Sequence, residues 1–392
     1  MYIGVSDIHI WDDMHSPQYT HKDIGKLLKK SLKNDFINAL PLQMANNCIY
    51  TKEDILKTVM FSITQDIYVA YGSKKLHKQQ RKSPSDDDVF CHLNKLNTNQ
   101  VFSTFNQANN CLLKQAARQG VFNDPHQCGL DIHKTPWYGK EKDIHVLGME
   151  RVRGTNFGHA YASIECVNTR ERFTLATLPL HQFTTKEQIL TYLVTKARNH
   201  IQISRQFLDR EFFNVESLTT LLTIPVQFVI PAEHNNPIKK LIISAHHQGS
   251  KIPETESFAF ITPYTMRKAK QQVTVTLVIV ISPSKKQDEP MNEFAYVTNI
   301  PVTLENALEL ADSYRNRWGI ETGYRVKEQV RGKTCSQQYP VRLLFQLLSI
   351  FLYNLWQLCN LILSVKLHWN KRKYLVILPL FKDIISDELS GR

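Results

Sequence analysis

Three acidic residues stand where a carboxylate is worth explaining. Asp131 sits mid-run between apolar neighbours in Gly129-Leu-Asp-Ile-His133, where a charge is costly to bury unless it is paired or bound to a cation. Asp209 closes another apolar run, Phe207-Leu-Asp-Arg-Glu-Phe-Phe213. Glu321 lies in Tyr314-Arg-Asn-Arg-Trp-Gly-Ile-Glu-Thr-Gly-Tyr-Arg325. There Tyr314, Arg317, Glu321, Tyr324 and Glu328 recur at steps of three and four and share one helix face. Taken singly, such an acid is as a rule an ion-paired or surface residue. Two carboxylates from strand ends and a third from a neighbouring helix, however, can hold two divalent cations, which clamp the attacking and leaving oxygens of an in-line displacement at phosphorus. Oxygen ligands alone select a hard ion, Mg²⁺ or Mn²⁺. His133 points to the same strand face as Asp131 and lies either beside the metals or in packing.

The elements that must position these residues are legible in outline. Up to about residue 125 the chain reads as helical: Ile24 to Leu40, Ile55 to Ala70, and about 86–96 and 99–118. Ser73 to Ser85, with five basic and no acidic residues, reads as an exposed linker. Ser85 followed by Asp86, Asp87 and Asp88 is a helix start. From Gln127 the texture becomes that of strands, the runs around Asp131, HVLGME, AYASIECV and RFTLATLPL. An amphipathic helix over Thr185 to Asn199, a strand ending at Asp209, a helix over Val215 to Thr223 and the strand PVQFVIPA follow. This alternation is a mixed α/β layered domain. Ile238 to Ile300 reads as strand throughout, KLIISAHH included, and helix returns from Leu304 to Lys333.

The chain has 392 residues, enough for two or three domains, and its 42% apolar content is that of a globular protein. Its net charge of +12 points to a polyanionic partner. The excess lies in Ser73–Ser85, Ile238–Lys286, Asp312–Arg342 and Lys366–Lys373. Seven cysteines without a CxxC pair read as free buried thiols in a reducing compartment. The apolar stretch Val341 to Val365 is long enough to span a membrane. Its polar residues Gln346, Ser349, Tyr353, Gln357 and Asn360 form one helical stripe, which favours a core helix with one wetter side and no membrane partner. No secretory signal is apparent at the N-terminus.

The stretch Tyr314 to Arg325 resembles the signature helix of DDE transposases of the IS4 type, and its IExxYR pattern that of their archaeal-type subgroup. Asp131 and Asp209, the latter in Asp-Arg-x-Phe, resemble the first and second catalytic acids of that family. The resemblance covers about Gln127 to Val365. It implies an α/β, ribonuclease H-like mixed sheet (126–237 and 301–365) split by a β-rich insertion (238–300). A helical N-terminal region (1–125) would bind terminal repeats, and a basic tail (366–392) would end the chain. Asp131, Asp209 and Glu321 would hold two Mg²⁺ or Mn²⁺ ions. Tyr314, Arg317, Arg325, Lys327 and Arg210 would contact DNA. The implied activity is cleavage at the ends of an insertion sequence and transfer of the 3′-hydroxyl into target DNA. A homodimer in the synaptic complex and a prokaryotic cytoplasmic, nucleoid-associated location go with it. The alternative is a transposase-derived DNA-binding protein without catalysis, whose mark would be a missing acid; all three are present. Two departures stand out: Glu328 occupies a position where the family often has Lys, and no Trp falls within the insertion. Tyr2 to Asp13, with Asp7-Ile-His9, is similar to the opening strand of calcineurin-type metallophosphoesterases, but the later GNH and GHxH motifs are absent.

Overall fold

The computed structural model describes residues 25, 27, 29–80, 82–140, 143–284, 291–368 and 374–390. The segment Tyr2–Asp13, the tryptophans at 11 and 369 and most of the Lys366–Lys373 patch lie outside these. The chain divides into two compact units, Ala116–Val326 and the pair of segments Met1–Gln115 and Lys327–Arg392.

The unit Ala116–Val326 is built on a mixed sheet. β1 (His126–Pro136) pairs antiparallel with β3 (Thr155–Cys166), which pairs antiparallel with β4 (Thr174–Pro179) and with the short β2 (Leu147–Val152). On its other side β1 runs parallel to β5 (Ile203–Leu208), and β5 parallel to β6 (Phe228–Pro231). The order β4-β3-β1-β5-β6, with its antiparallel first half and parallel second half, is the ribonuclease H-like sheet. Parallel neighbours need crossovers. Helices α5 (Lys186–Arg198) and α6 (Val215–Thr223) supply them. α5 starts where Thr185 and Gln188 cap each other reciprocally, and it buries Ile189, Leu190, Leu193, Val194 and Ala197.

The segment expected as an insertion differs from its sequence reading in two ways. KLIISAHH is not a strand but part of helix α7 (Asn236–Gln248). Asn235 caps that helix, Pro237 occupies its first turn, and Ile238, Ile242 and Ala245 fall on its buried face. After the two-residue β7 (Ser250–Lys251), strands β8 (Phe258–Lys268), β9 (Gln271–Pro283) and β10 (Met291–Thr298) do not form a separate layer. β10 pairs antiparallel with β6, so they prolong the same sheet, to ten strands among the described residues. Helices α8 (Leu304–Tyr314) and α9 (Trp318–Glu328) then cover part of it, joined by a 3-10 turn at Arg315–Arg317 rather than as one continuous helix. The Tyr296 hydroxyl ties β10 to α8 by donating to the Ala307 carbonyl at 2.9 Å.

The other unit is helical among its described residues: a π-helical segment Lys29–Ile37, α1 (Lys52–Thr64), α2 (Val69–Gln80), α3 (Asp86–Leu93), α4 (Thr98–Arg118), α10 (Tyr339–Lys366) and α11 (Leu378–Ser390). Ser73–Ser85 is not wholly a linker. α2 runs through it to Gln80, and Ser73 and Ser83 are buried. Ser85 and Asp88 form the expected cap of α3. The C-terminal segment contributes α11, whose Phe381, Ile384, Ile385 and Leu389 are buried.

α10 is long and apolar enough to cross a membrane, but 89% of its most apolar window is buried inside the protein. Its polar stripe is no wetter side: Gln346, Ser349, Tyr353, Gln357 and Asn360 are all buried. Within the stripe Ser349 donates to the Gln346 carbonyl at 2.7 Å and Gln357 to the Tyr374 hydroxyl at 3.3 Å. Asn360 accepts from the Val376 N–H at 2.9 Å and donates to its carbonyl at 3.1 Å, and Asn354 donates to Asn109 at 2.7 Å. All seven cysteines are free, but only Cys128, Cys166 and Cys359 are buried, and Cys91 and Cys335 are exposed.

Candidate active site

β1 presents alternate residues to α9, and Gly129, Asp131 and His133 share that face. Gly129 allows the approach: a Cβ there would stand 2.2 Å from Cδ1 of Ile320 and 3.2 Å from Val167. Ile320 is fully buried. Two residues on, Asp131 reaches the level of Arg317, and His133 stacks on Tyr324 with ring centroids 4.7 Å apart. His133 is thus in packing.

The last β1–β5 pair is Leu130↔Leu208, and both neighbouring strands place an acid at the next position, Asp131 and Asp209. Asp209 caps the 3-10 turn Arg210–Phe212, anchored by the fully buried Phe212. Glu321 stands one turn into α9 from Arg317. Arg317, itself buried, is the cation common to all three acids. It lies 3.0 Å from Glu321, 3.6 Å from Asp131 and 3.9 Å from Asp209. The three sequence-predicted acids are therefore brought together across two strands and a helix.

Asp131 is the least exposed of the three, its side chain 14% accessible against 41% for Asp209 and 48% for Glu321. Burial pushes its pKa up to about 7; Arg317 and the Ile132 N–H, 2.9 Å from Oδ1, pull it back, and Asp209 adds to the rise. For Arg317, burial opposes the charge, but Tyr314 and the three carboxylates outweigh it and its pKa ends above the ordinary guanidinium value. A half-buried carboxylate beside two others is a strong attractor of positive charge. The donor set, oxygen only, suits a hard divalent ion. In the present arrangement no three His, Cys, Asp or Glu among the described residues converge as metal ligands, and the cation the acids share is Arg317.

The residues expected to touch DNA fall into two groups. Arg210 and Arg325 are exposed, beside Asp209 and one turn beyond Glu321. Tyr314 and Lys327 are buried instead. The Tyr314 hydroxyl donates to the Leu208 carbonyl at 3.1 Å, which ties the end of α8 to the strand that delivers Asp209. The Lys327 ammonium, 2% exposed, stands 5.0 Å over the Tyr353 ring within the helical unit. A charged residue reads as surface in sequence, which does not place the Tyr353 ring beside it. Sequence reasoning did not single out Ser163, Glu165 or Arg172. Arg172 lies against the start of α9, its guanidinium 2.9 Å from where a Gly319 Cβ would be. None of the three belongs to a local motif.

By sequence, the chain matches no described protein family and no curated protein. By structure it is similar to a piggyBac transposase solved as a synaptic complex with hairpin DNA. The TM-score is 0.57 at 12% identity over 95% of this chain and 80% of that one. At that identity the likeness is one of fold, and it extends over both units.

Proposed function

We propose that the protein is a DDE-type DNA transposase that cuts at the ends of its element and joins the freed 3′-hydroxyl to target DNA. The observation that carries this reading is that Asp131, Asp209 and Glu321, from β1, the end of β5 and α9, all lie within 4 Å of one guanidinium, that of Arg317, on a ribonuclease H-like sheet. The shared fold with a transposase and the +12 charge support it. The motif around Glu321 favours the IS4 type.

Asp131, Asp209 and Glu321 would hold the divalent ions, Mg²⁺ or Mn²⁺. When bound, those ions supply Lewis acidity toward the scissile phosphate. This chain's own residues do the rest. The sheet holds Asp131, midway along β1, beside Asp209, just past the end of β5, and Gly129 lets α9, which carries Glu321 and starts just after Arg317, approach β1. Arg317 holds the carboxylates together against their mutual repulsion. Arg210 and Arg325, both exposed, would grip phosphates near the break. The N-terminal helices would read the terminal repeats, with two chains joining two ends in the cytoplasm of a prokaryotic host. The test is a joining assay. Labelled fragments of the DNA flanking the gene, incubated with the protein, Mg²⁺ and a target plasmid, should become covalently joined through their 3′ ends. Joining of unrelated fragments at the same rate, or none at all, would refute the reading.

A further inference from the structure

The Tyr324 hydroxyl is a meeting point of three elements. It donates to the backbone carbonyl of Asp131 at 3.2 Å and stands 2.8 Å from the hydroxyl of Ser163 on β3. Ser163 donates to Oε1 of Glu165 at 3.1 Å, and Glu165 is only 1% exposed. Asp131 and Ser163 are directly opposite each other in the β1–β3 ladder. These groups form a polar network behind the carboxylate cluster rather than in it. A phenol, a hydroxyl and a carboxyl buried together are costly unless their bonds specify a geometry.

The geometry they specify is that of the cluster. β1 loses its β5 partner after Leu130, so from Asp131 onward only β3 supports it as a strand. The Tyr324 hydroxyl adds a bond to the backbone at that residue. Tyr324 is also three residues beyond Glu321 on α9, within one turn. One hydroxyl thus sets both how Asp131 is presented and how far along β1 the turn carrying Glu321 rests. Stacking on His133 holds its ring in place.

We propose that Tyr324, supported by Ser163 and Glu165, is a positioning residue that fixes the spacing of Asp131 and Glu321, and through it the affinity of the carboxylate set for divalent cations. This rests on the proposal that those carboxylates hold the metal. Residues that orient ligands without touching the ion typically matter by ~10-fold or more in affinity.

The test uses the full chain and Tyr324→Phe, which keeps the ring and its stacking and removes only the hydroxyl. Mn²⁺ binding without DNA is followed by electron paramagnetic resonance, and unfolding by melting in EDTA. The Mn²⁺ dissociation constant should rise about 10-fold, while the melting profile stays cooperative. The Mg²⁺ concentration for half-maximal plasmid nicking should rise by a similar factor, with nicking recovered at high Mg²⁺. A loss of fold alone would move the melting profile and not the metal midpoint. If Tyr324→Phe does not fold, Ser163→Ala decides, with an expected shift of roughly 3-fold because the bond to Asp131 remains. Wild-type Mn²⁺ affinity in the folded variant overturns the positioning role alone. A wild-type chain that binds no Mn²⁺ overturns the functional reading and this proposal with it.

Discussion

Replacing Asp131 by Asn should make the metal-free protein more stable while destroying its proposed chemistry, and the gain should grow with pH. Asp131 ionises near pH 7 in the folded chain against an ordinary value of 3.8, chiefly because it is buried. Below about pH 4 both folded and unfolded chains hold the proton, and the group contributes nothing. As pH rises from there, the unfolded chain releases the proton first, so folding loses stability until the folded carboxyl ionises as well near pH 7. At about 1.4 kcal/mol per pH unit, the full cost is ~4 kcal/mol above pH 7, of which ~3 kcal/mol accrues between pH 5 and pH 8. The substituted amide would not titrate, and its side-chain oxygen can still accept from the Ile132 N–H that now bonds Oδ1. Denaturant unfolding of wild type and Asp131→Asn in EDTA at pH 5 and pH 8 reads the difference. The variant's advantage should widen with pH, and adding Mg²⁺ at pH 8 should narrow it by stabilising wild type alone. An advantage that is absent, or equal at the two pH values, would refute the argument from burial.

Gly129→Val should push Ile320 off β1, costing about 1–3 kcal/mol in unfolding experiments and abolishing nicking; a variant that nicks as wild type would mean the close approach is unimportant. Arg210→Ala and Arg325→Ala should each weaken DNA binding and lower the slope of log affinity against log salt by about 1, read by fluorescence anisotropy at several salt concentrations. Lys327→Met should leave that slope unchanged, because the ammonium is packed over Tyr353 away from solvent; a reduced slope would return Lys327 to the DNA interface.

The acids were legible because each sits at an abrupt local feature. Asp131 is a charge inside an apolar strand, Asp209 the stop of another, and Glu321 part of a three-four pattern that survives the 3-10 turn at Arg315–Arg317. The helix cap at Ser85 was equally readable, where side chain and backbone bond within three residues, and of Thr184 and Thr185, both open from sequence, Thr185 is the cap. What escaped depends on partners distant in sequence. KLIISAHH has the composition of a strand, and only the Asn-Pro start upstream and its buried Ile238, Ile242 and Ala245 identify a helix. The polar stripe of α10 is dry, and Gln357 and Asn360 on it find partners at Tyr374 and Val376. The strands after Glu254 were visible as strands, but sequence does not say which edge they join; β6 had a free edge and β10 took it. Tyr324 was visible as a member of the helix face that carries Glu321 and as the Tyr of the IExxYR pattern. Its hydroxyl donates to Asp131 and lies beside Ser163, which no spacing rule connects to it.

The central claim is that Asp131, Asp209 and Glu321 form one catalytic set. Nicking of a supercoiled plasmid carrying the DNA that flanks the gene, measured in Mg²⁺ for wild type and for Asp131→Ala, Asp209→Ala and Glu321→Ala, tests it most directly. Each variant should bind the flanking DNA about as well as wild type and produce no metal-dependent nick. Full nicking by any one of the three would contradict the account.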